Sequence, residues 1–375
     1  MKDIHGGDIW EASRRAGKSP GEILDFSSSL NPFGLPKKAA SAVKDALRYV
    51  SPYPDPSSFL LRQALSIFHA IDTNGIVPGN GSTELIYALP RVLRPERALI
   101  VEPAFSEYRS SLELSGCRTE SLVLREEEGF RLDLDSFGRK VKRGYGAVYI
   151  ANPSNPTGAL IGKETLMEAA RLCRKNGAWL IVDEAFMDFC EDGSVKSSAG
   201  REKNLIVLRS MTKFFSMAGL RLGFLIANGS TAERFRKSLP PWSVNTLAAY
   251  AAMGAVNDRH YIDKTRAWLG AERDFLSGAL SGLGLKVFPS SANFLMAKTG
   301  STQPPANEIR ERLLSRGILI RDLSAFKGLG RRYLRVAVRT RQEDKTLINA
   351  LRQELEVKRV LKGRLKGLGR VKTLE

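Results

Sequence analysis

The chain has 375 residues, 43% of them hydrophobic and 26% charged, with a formal net charge of +18. That size and balance suit a globular protein of about two domains, and no apolar run approaches the ~20 residues that a membrane span needs. Three widely spaced cysteines, Cys117, Cys173 and Cys190, argue against a disulfide framework or a zinc site.

The opening residues, Met1-Lys2-Asp3-Ile4-His5-Gly6-Gly7, lack the apolar stretch of a secretory signal, so a cytoplasmic location is expected. Turn formers fill the first ~45 residues (Ser27-Ser28-Ser29, Asn31-Pro32, Leu35-Pro36). Next, Gly79-Asn80-Gly81-Ser82-Thr83-Glu84 reads as a glycine-rich turn opening a helix, whose free N–H groups could hold a phosphate. It is not a Walker A loop, since no Gly-Lys-Ser or Gly-Lys-Thr follows at the required spacing, and Ser82 or Thr83 could equally be a plain cap.

Short apolar runs at residues 98–101, 147–150, 179–182, 205–208 and 224–227 predict buried strands, with a covering helix over residues 164–175. Residues 245–280 read as helical. Strands follow at 285–288, 292–297, 318–320 and 333–338, with helices over 308–315 and 342–355 among them. The expected fold is α/β: a large domain with a mainly parallel sheet over residues 46–244, and a smaller α+β domain from residues 1–45 and 245–357. A basic tail, residues 358–375, carries seven Lys or Arg and one acid and reads as a solvated, frayed terminus. Its Lys366-Gly367-Leu368-Gly369-Arg370 repeats Lys327-Gly328-Leu329-Gly330-Arg331. The charge leaves open a non-catalytic polyanion-binding protein, although no nucleic-acid signature accompanies it.

Ligands of open α/β sheets bind beyond the carboxyl ends of the strands. Glu102-Pro103 follows the first run, Asn152-Pro153-Ser154-Asn155-Pro156-Thr157-Gly158 the second, Asp183-Glu184 the third and Arg209-Ser210-Met211-Thr212-Lys213 the fourth. Any one of these could be a cap or a turn. Four at successive strand ends point to one crevice.

That series, followed by Gly219-Leu220-Arg221-Leu222-Gly223, resembles the fold type I, aspartate-aminotransferase-like enzymes that use pyridoxal 5′-phosphate. The resemblance covers residues 53 to 339. It implies that Lys213 holds the cofactor through its amine and that Asp183 pairs with the pyridine nitrogen. It further implies that Asn155 donates to the ring 3-oxygen, that Phe105 stacks on the ring, and that Ser82, Thr83, Ser210 and Arg221 hold the cofactor phosphate. Tyr53 would reach the cofactor of a second subunit, which implies a homodimer with shared active sites. Arg335 matches the arginine that binds a substrate α-carboxylate, and Arg321 one that helps to bind a substrate phosphate in the histidinol-phosphate aminotransferase branch.

Within that branch, His5-Gly6-Gly7-Asp8-Ile9, Asp25-Phe26-Ser27, Asn31-Pro32, Phe186 and Pro241-Trp242-Ser243-Val244-Asn245 resemble the threonine-phosphate decarboxylase family of cobalamin synthesis. The resemblance implies a small phosphorylated amino-acid substrate, with His5 near its phosphate. The family carries asparagine where this chain has Ser29, which leaves threonine phosphate versus serine phosphate open. Histidinol-phosphate aminotransferase is the nearest alternative.

Overall fold

The computed structural model describes residues 6–368, with side chains as far as residue 355. The strands are β1 (Leu24–Asp25), β2 (Ile76–Asn80), β3 (Arg97–Glu102), β4 (Arg118–Val123), β5 (Ala147–Ala151), β6 (Trp179–Asp183), β7 (Leu205–Ser210), β8 (Leu222–Ile226), β9 (Lys286–Val287), β10 (Phe294–Lys298), β11 (Ile318–Leu319), β12 (Arg321–Asp322) and β13 (Tyr333–Ala337). Seven form one sheet in the order β2-β8-β7-β6-β5-β3-β4. Its pairs from β7 through β4 are parallel, whereas β8 runs antiparallel to both β7 and β2. Apolar clusters cover both faces of this sheet, which is why β5 and β7 are buried along their whole length.

A second, antiparallel sheet runs β12-β13-β10-β9, and the β1–β11 pair ties the N-terminal segment to it. Its own apolar cluster centres on Phe26, Leu276, Leu295, Leu334 and Leu347. The helix Arg259–Gly282 joins the two cores: Tyr261 and Ile262 pack with the large sheet, Leu269 and Leu276 with the small one.

Packing departs from the sequence reading at residues 37–46 and 246–256. The helices Lys37–Ala46 and Thr246–Val256 join the large sheet's cluster through Ala39, Ala248, Ala251, Ala252 and Ala255. Small side chains let the helices come close: a Cβ at Gly254 would lie 2.5 Å from Lys38 O. The last helix, Arg341–Leu368, also runs on into the segment read as a frayed tail. Residues 358–368 are mostly strong helix formers with no proline, so nothing local ends the helix at residue 357. Residues 369–375 lie outside the described chain.

One polar feature lies inside the large domain. Arg209, near the end of β7, has no solvent exposure. It donates to Glu184 Oε2 at 2.9 Å, Asp188 Oδ1 at 2.6 Å and Glu191 Oε2 at 2.7 Å. Removing one member of such a cluster leaves buried charge uncompensated. Arg209→Ala is therefore expected to destabilise the fold by about 3–5 kcal/mol, measurable as a lower urea midpoint.

Candidate active site

The ends of β3, β5, β6 and β7 open into a cavity of about 320 Å³ between the two sheets. Ser82, Thr83, Phe105, Asn155, Asp183, Ser210, Lys213 and Arg221 line its large-domain side, and Ser29, Arg321 and Arg335 close it from the other. Eleven expected site residues thus meet in one place. Two do not. Tyr53 is 78% exposed and stacks on Trp242 at 4.6 Å, away from this cavity. His5 lies outside the described residues.

Lys213 sits three residues beyond β7. Its amine is pushed down to about 8, first by burial and then by the Arg335 and Arg221 charges, with Asp25 and Asp183 pulling weakly the other way. A useful fraction is therefore neutral and nucleophilic near neutral pH. The loop is held from the N-terminal segment. Asn31 N–H donates to Lys213 O at 3.0 Å, and Asn31 Nδ2 donates to Phe214 O at 3.0 Å and to Thr265 Oγ1 at 2.8 Å. The sequence reading had singled out Asn31-Pro32 only as part of a motif.

The helix Gly81–Leu93 begins at the cavity edge, and no side chain caps it. Its first N–H groups, with the Ser82 and Thr83 hydroxyls, form an anion cradle. Arg221 adds a cation there from a left-handed backbone, φ +61, a conformation that costs a non-glycine residue about 1–2 kcal/mol. Glycine is required opposite: a Cβ at Gly223 would lie 2.8 Å from Ser82 Cα and 2.9 Å from Arg209 O.

Asp183 is 7% exposed, and burial pushes its carboxyl up despite hydrogen bonds that favour the ionised form. Tyr108, absent from the sequence reading, donates to it at 2.5 Å. Phe105 lines the wall and meets Tyr108 edge-on.

Across the cavity, Arg321 and Arg335 stand opposite one another in the β12–β13 register, and both are buried. Arg335 Nη2 donates to Ser27 O at 2.7 Å, and Nη1 donates to Asn155 Oδ1. Burial, then the Arg321 charge, pushes its guanidinium down to about 9. Two neighbouring buried cations are costly unless anions join them. Ser29, 1% exposed, lines the same wall, and its Oγ has no hydrogen-bond partner among the described residues. Phe186 is buried edge-on to Phe294, with Lys213 Nζ 5.9 Å from its ring centroid.

These groups fit pyridoxal 5′-phosphate. There is a buried amine of lowered pKa, an uncapped helix start with an arginine for a phosphate, a buried carboxylate for a ring nitrogen, and an aromatic wall. Among the described residues no cluster of His, Cys, Asp and Glu could hold a metal ion, and no helix is long and apolar enough to cross a membrane.

The family model for aminotransferase class I and II matches residues 21–351. The threonine-phosphate decarboxylase of Salmonella typhimurium is 38% identical over 95% of this chain and 97% of its own length. The crystal structure of L-threonine-O-3-phosphate decarboxylase from Porphyromonas gingivalis superposes with a TM-score of 0.77 at 26% identity, covering 89% of this chain and 100% of that one. The histidinol-phosphate aminotransferase of Clostridium acetobutylicum superposes with a TM-score of 0.83 at 29% identity, covering 88% of this chain and 98% of that one.

The lysine environment sets a pH dependence. A lysine amine attacks an aldehyde only when neutral, so the rate at which the apoprotein takes up pyridoxal 5′-phosphate should rise as the pH climbs through about 8 and then level off. Stopped-flow absorbance measures this; a rate still climbing above pH ~10, where an ordinary lysine titrates, would contradict it. Gly223→Ala should push the helix start away from β8, at a strain of about 1–3 kcal/mol, and weaken cofactor binding, measured by fluorescence titration.

Proposed function

The chain belongs to the aminotransferase class I and II family, and we propose that it is a pyridoxal 5′-phosphate-dependent decarboxylase of O-phospho-L-threonine, forming (R)-1-amino-2-propanol O-phosphate for cobalamin synthesis. The carrying observation is the pair of buried arginines facing each other across β12 and β13. A substrate bearing both a carboxylate and a phosphate supplies one anion to each. The 38% identity to a threonine-phosphate decarboxylase supports the same substrate.

The residues divide the work. Arg335, its fork oriented by Asn155 and Ser27, receives the α-carboxylate, while Arg321 and Ser29 receive the phosphate. With both ends held, the bond to the carboxylate carbon can be turned perpendicular to the ring, which decides which bond breaks. When bound, the cofactor supplies the electron sink for the pair left as carbon dioxide departs. Asp183 holds the ring nitrogen's proton. Lys213, once displaced by the substrate amine, has a pKa suited to returning a proton to Cα. Phe186 offers no hydroxyl to the ring 3-oxygen.

Tyr53 belongs to a second subunit's site in this reading. An exposed apolar surface of Leu47, Val50, Tyr53, Phe59, Leu60 and Trp242 supports a homodimer, because exposed apolar surface of this kind marks an interface.

The test is product identity. Carbon dioxide and aminopropanol phosphate should form from O-phospho-L-threonine. Glutamate formation from histidinol phosphate and 2-oxoglutarate, with no carbon dioxide from phosphothreonine, would instead identify an aminotransferase. Arg321→Ala should raise KM for phosphothreonine about 10–100-fold, the loss of a hydrogen bond to a charged group.

A further inference from the structure

Tyr108 has no part in the scheme above, yet its hydroxyl touches the carboxylate that the scheme depends on. It lies in the helix Ser106–Leu114, directly after Phe105, and is 1% exposed. Its ring is held between Phe105, edge-on at 5.9 Å, and Tyr149 at 5.7 Å. From that fixed position its hydroxyl donates to Asp183 Oδ2 at 2.5 Å, while Ala185 N–H donates to Asp183 Oδ1 at 2.9 Å.

Both carboxylate oxygens therefore already accept a hydrogen bond. Both bonds are stronger to a carboxylate than to a carboxylic acid, so both favour the ionised form. Burial works the other way, since desolvation favours the neutral acid. The other ionisable groups acting on the pair are Lys213 on Asp183, and Glu102 and Tyr149 on Tyr108. Tyr108 itself stays protonated, its phenol held well above the usual range by burial and then by the Asp183 charge. It is thus a permanent donor.

We propose that Tyr108 is a positioning residue that keeps Asp183 ionised, so that the proton shared between Asp183 and the cofactor's ring nitrogen stays on the nitrogen. This rests on the cofactor assignment above. A protonated ring withdraws electrons more strongly, so Tyr108 governs how well the cofactor works without touching the substrate.

The experiment loads full-length protein with pyridoxal 5′-phosphate carrying ¹⁵N in its ring and reads that nitrogen's chemical shift. Wild type should give a pyridinium signal. Asp183→Asn calibrates the neutral end. Tyr108→Phe, which removes only the hydroxyl, should move the signal toward the neutral end and raise the cofactor dissociation constant about 10–100-fold. Its kcat should fall more than its KM changes. An unchanged shift in Tyr108→Phe, even with a lower melting temperature, overturns the proposal and leaves Tyr108 a packing residue. A neutral nitrogen in loaded wild type overturns it without need of the variant. A wild-type chain that takes up no cofactor at Lys213 overturns the cofactor assignment, and this proposal with it.

Discussion

The site is built on the buried ion cluster around Arg209. Asp183 and Ser210 reach the cavity from the ends of β6 and β7, while their chain neighbours Glu184 and Arg209 turn away from it and meet each other at 2.9 Å. Side chains alternate along an extended chain, so fixing one side of these strand ends fixes the other. Glu184 also accepts from Ser194 Oγ and Val195 N–H, and Arg209 binds Asp188 and Glu191. The cluster therefore holds the segment after β6 as well. Such an arrangement adds little net stability over an apolar core, but it tolerates few alternative geometries. In a site whose groups must meet a cofactor within fractions of an ångström, that constraint is what the structure needs.

Among the described residues that line the cavity, cations outnumber anions. Lys213, Arg221, Arg321 and Arg335 line it, against Asp183 and Glu107. The cost is visible in Lys213 and Arg335, pushed down to about 8 and about 9. Ligands that bring phosphate and carboxylate relieve that cost, and binding that relieves it also stabilises the fold. The chain's +18 charge points the same way at longer range, since a positive surface draws anionic substrates toward the cleft.

The parts legible in the sequence were those written locally. Strands buried on both faces, such as β5 and β7, leave unbroken apolar runs, and the residues after them are the cavity floor. The two edge strands of the large sheet, β2 and β4, were less readable. β2 contains Pro78-Gly79, poor strand formers, and pairs only with antiparallel β8 at the sheet edge; β4, at the other edge, is Arg118-Thr119-Glu120-Ser121-Leu122-Val123. The helix Thr246–Val256 is alanine-rich all round, so composition could not say which core it would join. Tyr108 and Asn31 were missed as site residues for a different reason. Their partners lie 75 and 183 residues away, and a tyrosine or asparagine beside a turn carries no mark of a long-range bond.

Asn155 joins the two halves of the proposed chemistry. Its Oδ1 accepts from Arg335, which leaves its Nδ2 to donate toward the ring 3-oxygen. In the proposed arrangement, one amide thereby links the substrate's carboxylate anchor to the plane of the cofactor ring. This bears on a difficulty in any decarboxylase: an arginine that grips a carboxylate too well stabilises the reactant and opposes its loss. Here part of the Arg335 fork is spent on Asn155 and Ser27 O. The grip is reduced, while the direction of the guanidinium is fixed from two sides. Such an arginine contributes mainly by aligning the bond to be broken, an interaction that gains in value as the reaction proceeds.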